Sequence, residues 1–299
     1  MNESVRHAGL VGVVGRPNVG KSTLVNALVG EKVSIVTAKP QTTRHRIMGV
    51  LTRDDCQFVF VDTPGIHSEA PRRLNRDMNR LAQDAARDAD VVVFVVQAGK
   101  WLAEDQAILD SLKRLDVPVG LVINKVDQAA DKSQLLPFIE SITARADFRF
   151  VVPLSALKLT NLTPLLDELQ QFLPESPAFF PADQHSDQSP RMVAAEVIRE
   201  KLMMRVHKEV PYAVAVQVQE MEREGQLTRI QAVIWIEKEG QKGIVIGQGG
   251  KVLKDVGTAA RKELEGIWGG RVHLDLWVKV RAGWPDDPRI LGSLGITSE

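Results

Sequence analysis

The sequence predicts an α/β fold with a mostly parallel sheet, followed by a smaller α+β module. Three observations predict it. Short β-branched runs alternate with helical patterns from Leu10 to about Phe172. A proline-rich stretch then interrupts the chain, and beyond it the order changes to helix, strand, strand, helix, strand. Strand–helix alternation is the mark of a parallel sheet covered on both faces.

In order, "GLVGVVG", "RIMGVL", "QFVFVDTPG", "ADVVVFVVQ", "VPVGLVINKVD" and "FRFVVPLSA" read as strands. Their near-continuous apolar character suits strands buried on both faces. Helices are expected over Lys21–Val29, Arg73–Asp88, Glu104–Leu115, Gln134–Ala144 and Leu162–Gln171, the second with Leu74, Met78, Leu81 and Ala85 on one face. Such a sheet places ligand sites at the carboxyl ends of its strands. "PESPAFFPADQHSDQSP", Pro174 to Pro190, carries four prolines and can continue neither a helix nor a central strand. The expected division is therefore 1–173, a linker 174–190 and 191–299, with Phe179 and Phe180 tucked against one domain. After the linker, "RMVAAEVIREKLMMRV" reads as helix, "YAVAVQVQEME" and "RIQAVIWIE" as half-buried strands, "KVLKDVGTAARKELE" as helix and "RVHLDLWVKV" as strand. "WPDDPRILGSLG" shows no pattern.

Composition narrows the function. One cysteine, Cys56, excludes an internal disulfide framework, and six histidines without an HxxxH pair argue against a transition-metal enzyme. No basic, apolar, small-residue progression opens the chain, and the densest apolar run, "VVVFVV", is too short to span a bilayer, so the cytoplasm is the expected compartment. Net charge is zero, and from Arg191 onward 17 basic side chains face 15 acidic ones. Any nucleic-acid site must therefore rest on local features.

"GRPNVGKST", Gly15 to Thr23, matches GxxxxGK[ST] between a strand and a helix. Gly15, Asn18, Val19, Gly20, Lys21, Ser22 and Thr23 are expected around phosphates. Their backbone amides face the anion, Lys21 reaches the β- and γ-phosphates, and the Ser22 hydroxyl binds magnesium. "DTPG" puts Asp62 on that magnesium through water and the Gly65 amide by the γ-phosphate. In "QTTR", Gln41 to Arg44, one threonine completes the magnesium site, with Thr43 favoured over Thr42. "NKVD", Asn124 to Asp127, supplies the base: Asp127 accepts from guanine N1–H and its amine, where adenine would face it with a lone pair. Lys125 would lie over the base, Asn124 would tie this loop to the phosphate loop, and "SAL", Ser155–Ala156–Leu157, would offer the Ala156 amide to guanine O6. A P-loop kinase or ATPase conflicts with NKVD.

Together these motifs resemble the GTPase domain of the TrmE–Era–Der group of translation-factor-type GTPases, and nearly the whole chain is similar to the Era family within it. The resemblance implies GTP/GDP and Mg2+ as ligands, with Asn18, Lys21, Thr43 and Gly65 as the residues of hydrolysis. Where Ras-like enzymes place a water-orienting glutamine, this chain has Ile66, followed by His67, so slow, glutamine-independent turnover is expected. His67 reads as a solvent-facing loop residue before it reads as a substitute. In the resembled group an asparagine at the position of Asn18 helps hold K+ beside the phosphates. The alternative, that Asn18 shapes the loop by bonding local amides, stays open.

In the second part, GxxG at Gly247, Gln248, Gly249 and Gly250 enters a helix carrying Lys251 and Lys254. This order of elements resembles a type II KH domain, whose glycine hairpin lets an RNA backbone approach. The expected RNA residues are Val245, Ile246, Gly247, Gln248, Gly249, Gly250, Lys251 and Lys254, with Ile244 and Val252 as further apolar walls. Tyr212, Trp235, Trp268 and Trp277 are assigned mostly to the core. In the resembled family the C-terminal tail also lies near the RNA. The stripe Arg72, Arg76 and Arg80 reads as a solvated face, with a second RNA surface as the alternative.

The resemblance implies a GTP-hydrolysing switch in small-subunit assembly. Its partners are the 3′ end of small-subunit ribosomal RNA and the maturing small subunit, with no DNA. A monomer is expected, with weak peripheral association at the inner face of the membrane. The competing expectation is a nucleotide-gated scaffold whose second domain binds protein or the membrane periphery.

Overall fold

A computed structural model describes residues 5–66, 72–129, 132–207 and 209–296. The chain forms two compact units, one running to Asp187 and the other from Gln188 onward, apart from two short loop segments.

In the first unit, six strands stand in the order β2-β3-β1-β4-β5-β6. They are β1 (His7–Val14), β2 (Ile47–Arg53), β3 (Cys56–Asp62), β4 (Val91–Gln97), β5 (Val119–Asn124) and β6 (Val151–Pro153). All neighbours pair in parallel except β2 and β3, which form a hairpin with Ile47 opposite Asp62 and Arg53 opposite Cys56. The helices are α1 (Lys21–Val29), α2 (Arg73–Arg87), α3 (Ala103–Leu112), α4 (Leu135–Thr143) and α5 (Leu162–Gln170).

Alternation along β4 explains why its sequence is apolar from Val91 to Val96. Val93 and Val95 pack with Leu24 of α1 and Leu165 and Leu169 of α5. Val92, Phe94 and Val96 pack on the other face with Ala86 of α2, Ile108 and Leu109 of α3 and Ile142 of α4. Both faces are covered, so no position is left for a polar side chain. Leu74, Met78, Leu81 and Ala85 are buried as the helical spacing predicts. Gly120 of β5 is glycine because a Cβ there would lie 1.9 Å from the Phe150 ring.

The stretch after Pro174 is fixed to this unit by its backbone. The buried Gln57 side chain of β3 accepts from Phe179 N (2.8 Å) and Phe180 N (3.0 Å) and donates to Phe180 O (2.8 Å). Farther on, Val50 N donates to His185 O (2.9 Å) and Met48 N to Asp187 Oδ1 (3.0 Å), so the segment runs along β2. The tuck expected of Phe179 does not occur: its side chain is 50% exposed. Phe180 is half-buried, and polar groups of the strand hold the strap beside it.

In the second unit, α6 (Pro190–Arg205) is followed by β7 (Val214–Glu224), β8 (Leu227–Ile236), α7 (Glu239–Ile246), α8 (Lys251–Trp268), β9 (Arg271–Val280) and α9 (Pro288–Ser293). The sheet order is β7-β8-β9, with β7 antiparallel and β9 parallel to β8. Ala194, Ile198 and Leu202 of α6 and Val256, Ala260 and Leu264 of α8 form one core with Val216, Ile230, Ala232 and Ile234 of the sheet. Helix α7 is longer than the single apolar turn that the sequence shows. Its start is set by Gln241, whose Oε1 accepts from Glu237 N and Lys238 N, both at 3.0 Å. The tail is folded as well. Trp284 is fully buried and donates its indole N–H to Ala213 O (3.1 Å), and Asp287 caps α9 by accepting from Arg289 N (2.9 Å). Of the tryptophans assigned to the core, Trp277 is instead 43% exposed.

Cys56 lies in the core at 1% exposure, where burial, with Asp55 and Asp54 nearby, pushes its thiol up to about 11 from 9.0. The unfolded thiol loses its proton first, so this group's contribution to stability is lost as pH rises between about 9 and 11. Labelling by a thiol-reactive dye at pH 8 is expected to follow global unfolding. Rapid labelling of the native protein without denaturant would contradict this burial.

Candidate functional site

The loop from Gly15 to Gly20 follows β1 and opens α1 at Lys21. At Gly20 the backbone has φ +100, and a Cβ there would stand 2.4 Å from Asn124 Nδ2. Lys21 is buried, and its Nζ donates to Gly15 O (2.9 Å) and Arg16 O (3.2 Å). Burial holds its ammonium down to about 8, with the Arg16 charge adding to that and Asp62 opposing it. A bound phosphate would favour the charged form.

Facing this lysine, Asp62 ends β3 with no exposure, and neither carboxylate oxygen has a hydrogen-bond partner among the described residues. Burial raises its pKa, with Lys21 and the nearby hydroxyls of Ser22, Ser34 and Thr43 pulling the other way. The Ser22 and Thr43 hydroxyls lie 2.8 Å apart. A buried, unpartnered carboxylate beside two hydroxyls fits a magnesium ion that takes its remaining ligands from phosphate and water. Accordingly, among the described residues no cluster of three or more His, Cys, Asp or Glu could hold a metal ion unaided. The Thr42 hydroxyl instead donates to Lys39 O (2.6 Å) in its own loop, so the structure brings Thr43, and not Thr42, to Ser22.

Three loops meet at Asn124, the last residue of β5 and 2% exposed. Its Nδ2 donates to Val19 O (2.9 Å), and its Oδ1 accepts from Lys125 N (2.7 Å) and Ala156 N (3.0 Å). The Ala156 amide, expected to be free for guanine O6, is therefore engaged by Asn124. The cause is that the SAL loop is itself held by this side chain. Asp127 is exposed, with Oδ1 accepting from Ser155 Oγ (2.5 Å), which leaves its outer edge open for a base. Lys125 has φ +65, and its Nζ donates to Asn18 O (2.6 Å). Leu157 is 67% exposed.

Gly65 lies against Pro17, where a Cβ would approach its nitrogen to 2.7 Å. Ile66 packs against the α2–α3 side of the core and offers nothing to water. His67 lies outside the described residues. Asn18 is exposed with φ +63, and its side chain makes no hydrogen bond among the described residues, so the local amide bonds weighed above are not seen.

In the second unit, a groove of about 400 Å³ lies between α8 and β9 beside the GxxG turn. Leu253, Leu274 and Leu276 are half-buried along it, and exposed Lys254 and Thr258 stand at its edge. Arg261 lines it too, paired with Glu265 at 3.0 Å. Gly247 is glycine for packing, since a Cβ would meet Val252 at 2.5 Å, while nothing lies near Gly249 or Gly250. Gln248, Gly249, Lys251 and Lys254 are exposed and Ile246 is half-buried. Val245, expected on the apolar wall, has no exposed surface and supports the turn from within the core. Sequence reasoning missed the β9 side of the groove, Leu274 and Leu276. Their only signal was alternation, which does not say that a strand edge flanks a helix. Arg80 is exposed and pairs with Asp84 at 3.7 Å, as expected of a solvated face.

The Asn124 junction gives a direct test. Asn124→Ala leaves Val19 O, Lys125 N and Ala156 N without partners in a buried place. The expected cost is about 3 kcal/mol, read from urea unfolding of the nucleotide-free protein.

Comparison with known proteins follows these features. A family model described as "50S ribosome-binding GTPase" matches residues 10–125, and one described as "KH domain" matches residues 209–285. GTPase Era of Marinobacter nauticus is 48% identical over 289 residues, 97% of this chain and 95% of that protein. GTPase Era of Coxiella burnetii (strain CbuG_Q212) is 49% identical over 289 residues, 97% of this chain and 98% of that one. A crystal structure of Era in complex with MgGDPNP and nucleotides 1506–1542 of 16S ribosomal RNA aligns with TM-score 0.95 at 38% identity, covering 98% of this chain and all of that one. A single-residue variant of Aquifex aeolicus Era bound to GDP·AlF4− aligns with TM-score 0.94 at 39% identity and the same coverage. The chain thus belongs to the Era family of GTPases, with a P-loop GTPase domain followed by a KH domain.

Proposed function

We propose that the protein is a GTP-hydrolysing switch that captures single-stranded ribosomal RNA near the 3′ end of the small-subunit RNA and acts in assembly of that subunit. The observation that carries this reading is the full-length similarity to an Era structure holding both MgGDPNP and nucleotides 1506–1542 of 16S ribosomal RNA. The exposed GxxG turn and its apolar groove support it.

In this reading residues 1–173 form the GTPase domain, 174–190 the linker and 191–299 the RNA-binding domain. Gly15 and Asn18 to Thr23 surround the phosphates, Lys21 binds the β- and γ-phosphates, and Asp127 selects guanine with Lys125 over the base. Ser22 and Thr43 hold magnesium directly and Asp62 holds it through water. When bound, that ion neutralises charge on the β- and γ-phosphate oxygens. The Gly65 amide meets the γ-phosphate, so its loss releases the loop that carries it. Ile66 orders no water, and the free side chain of Asn18 is available to a potassium ion beside the phosphates. Gln248 to Lys251 and Lys254 meet the RNA backbone, with Ile246 beside the turn. No helix among the described residues is long and apolar enough to cross a membrane. The protein acts as a cytoplasmic monomer with weak peripheral contact at the inner membrane face.

Two measurements test this. Gly249→Asp places an anion in the turn, at φ +59, a conformation that aspartate tolerates, so the fold survives. Filter binding to a small-subunit 3′-end oligonucleotide is expected to weaken tenfold or more, roughly, as a phosphate contact turns repulsive. Undiminished binding would favour a scaffold whose second domain binds protein or membrane. GTP turnover of the native protein is expected to be faster in potassium than in sodium, and Asn18→Ala is expected to lose the difference. Equal native rates in both salts would remove potassium from the mechanism.

A further inference from the structure

Arg16, the second residue of the phosphate loop, is held in a buried ion pair that the assigned roles leave unexplained. Its Nε donates to Asp105 Oδ2 at 3.0 Å. Arg16 is 9% exposed and Asp105 not at all. The same carboxylate oxygen accepts from Leu102 N (2.9 Å), so Asp105 is fixed to the first turn of α3. The pair is incomplete: Arg16 Nη2 and Asp105 Oδ1 are both buried without a hydrogen-bond partner among the described residues. Such a half-satisfied buried pair is a poor source of stability, because desolvation of both charges offsets their attraction. Its geometry points to placement instead. Arg16 O is one of the two carbonyls that hold Lys21 Nζ. A rigid chain of contacts therefore runs from α3 through Asp105 and Arg16 to the ammonium.

We propose that Arg16, clamped by Asp105, is a positioning residue that aims Lys21 at the β-phosphate. It does so by fixing the carbonyl ridge from which Lys21 is delivered. The inference rests on the placement of the phosphates in Gly15–Thr23 proposed above. It separates phosphate recognition from base recognition, since among the described residues no hydrogen bond of the Asn124–Asp127 loop runs to Arg16 or Asp105, its ties to the phosphate loop being to Val19 O and Asn18 O.

The test is the ratio of GMP to GDP dissociation constants, measured by competition against a fluorescent GDP. GMP lacks the phosphate that Lys21 is aimed at, so only GDP binding reports the aim. Arg16→Met and Asp105→Asn are each expected to shrink the ratio about tenfold while GMP affinity stays unchanged. Lys21→Ala is the reference and must collapse the ratio. If it does not, the placement of the phosphates is wrong. If Lys21→Ala collapses the ratio and the other two variants keep it, the positioning role is overturned. Equal weakening of GMP and GDP by Arg16→Met and Asp105→Asn would mean general damage and overturn it as well.

Discussion

At the carboxyl end of β5, the Asn124 amide holds the phosphate loop through Val19 O, its own loop through Lys125 N and the SAL loop through Ala156 N. The three segments come from distant parts of the chain, and nearer the surface Lys125 Nζ to Asn18 O and Ser155 Oγ to Asp127 Oδ1 tie them again. A side-chain amide suits this place because it donates and accepts at once and carries no charge to desolvate. Gly20 is confined to glycine by the same group, since any Cβ would strike Nδ2. Residue choice in the phosphate loop is thus dictated from the base side of the site.

Charge is arranged with the opposite logic. Lys21 and Asp62 are both buried, and burial biases each toward its neutral form. An anionic phosphate and a divalent cation arriving together supply what each group lacks, in a place with little water to compete. Orphaned buried polar groups ordinarily count against a fold. In the function proposed above, the orphaned Asp62 carboxylate is the group that a ligand would complete.

Much of this was legible in the sequence, and the unread part has a common cause. GxxxxGKS, DTPG, NKVD and SAL are readable because phosphate, magnesium and guanine chemistry demands certain residue types at fixed spacings. The apolar runs of β1 and β4 and the face of α2 followed from periodicity alone. Gln57 and the strap, Arg16 with Asp105, and the β9 side of the groove depend on residues brought together across long stretches of chain, with no local signature. Helix α7 was read only as its last apolar turn, and the tail not at all, because one or two turns hold too few residues to show a period. Alternation placed Trp277 on a shared face but could not say whether that face is covered. Buried Trp284 sits in an unpatterned turn.

The strap along β2 has a further consequence. Strand β2 is the last in its sheet, and its outer row of amides and carbonyls is a template on which a foreign strand could add. His185 and Asp187 already occupy part of that row. Read from composition alone the segment is a spacer, yet in the fold its residues 185–187 serve as an edge cover. The segment thus takes up part of the edge on which the sheet could otherwise grow.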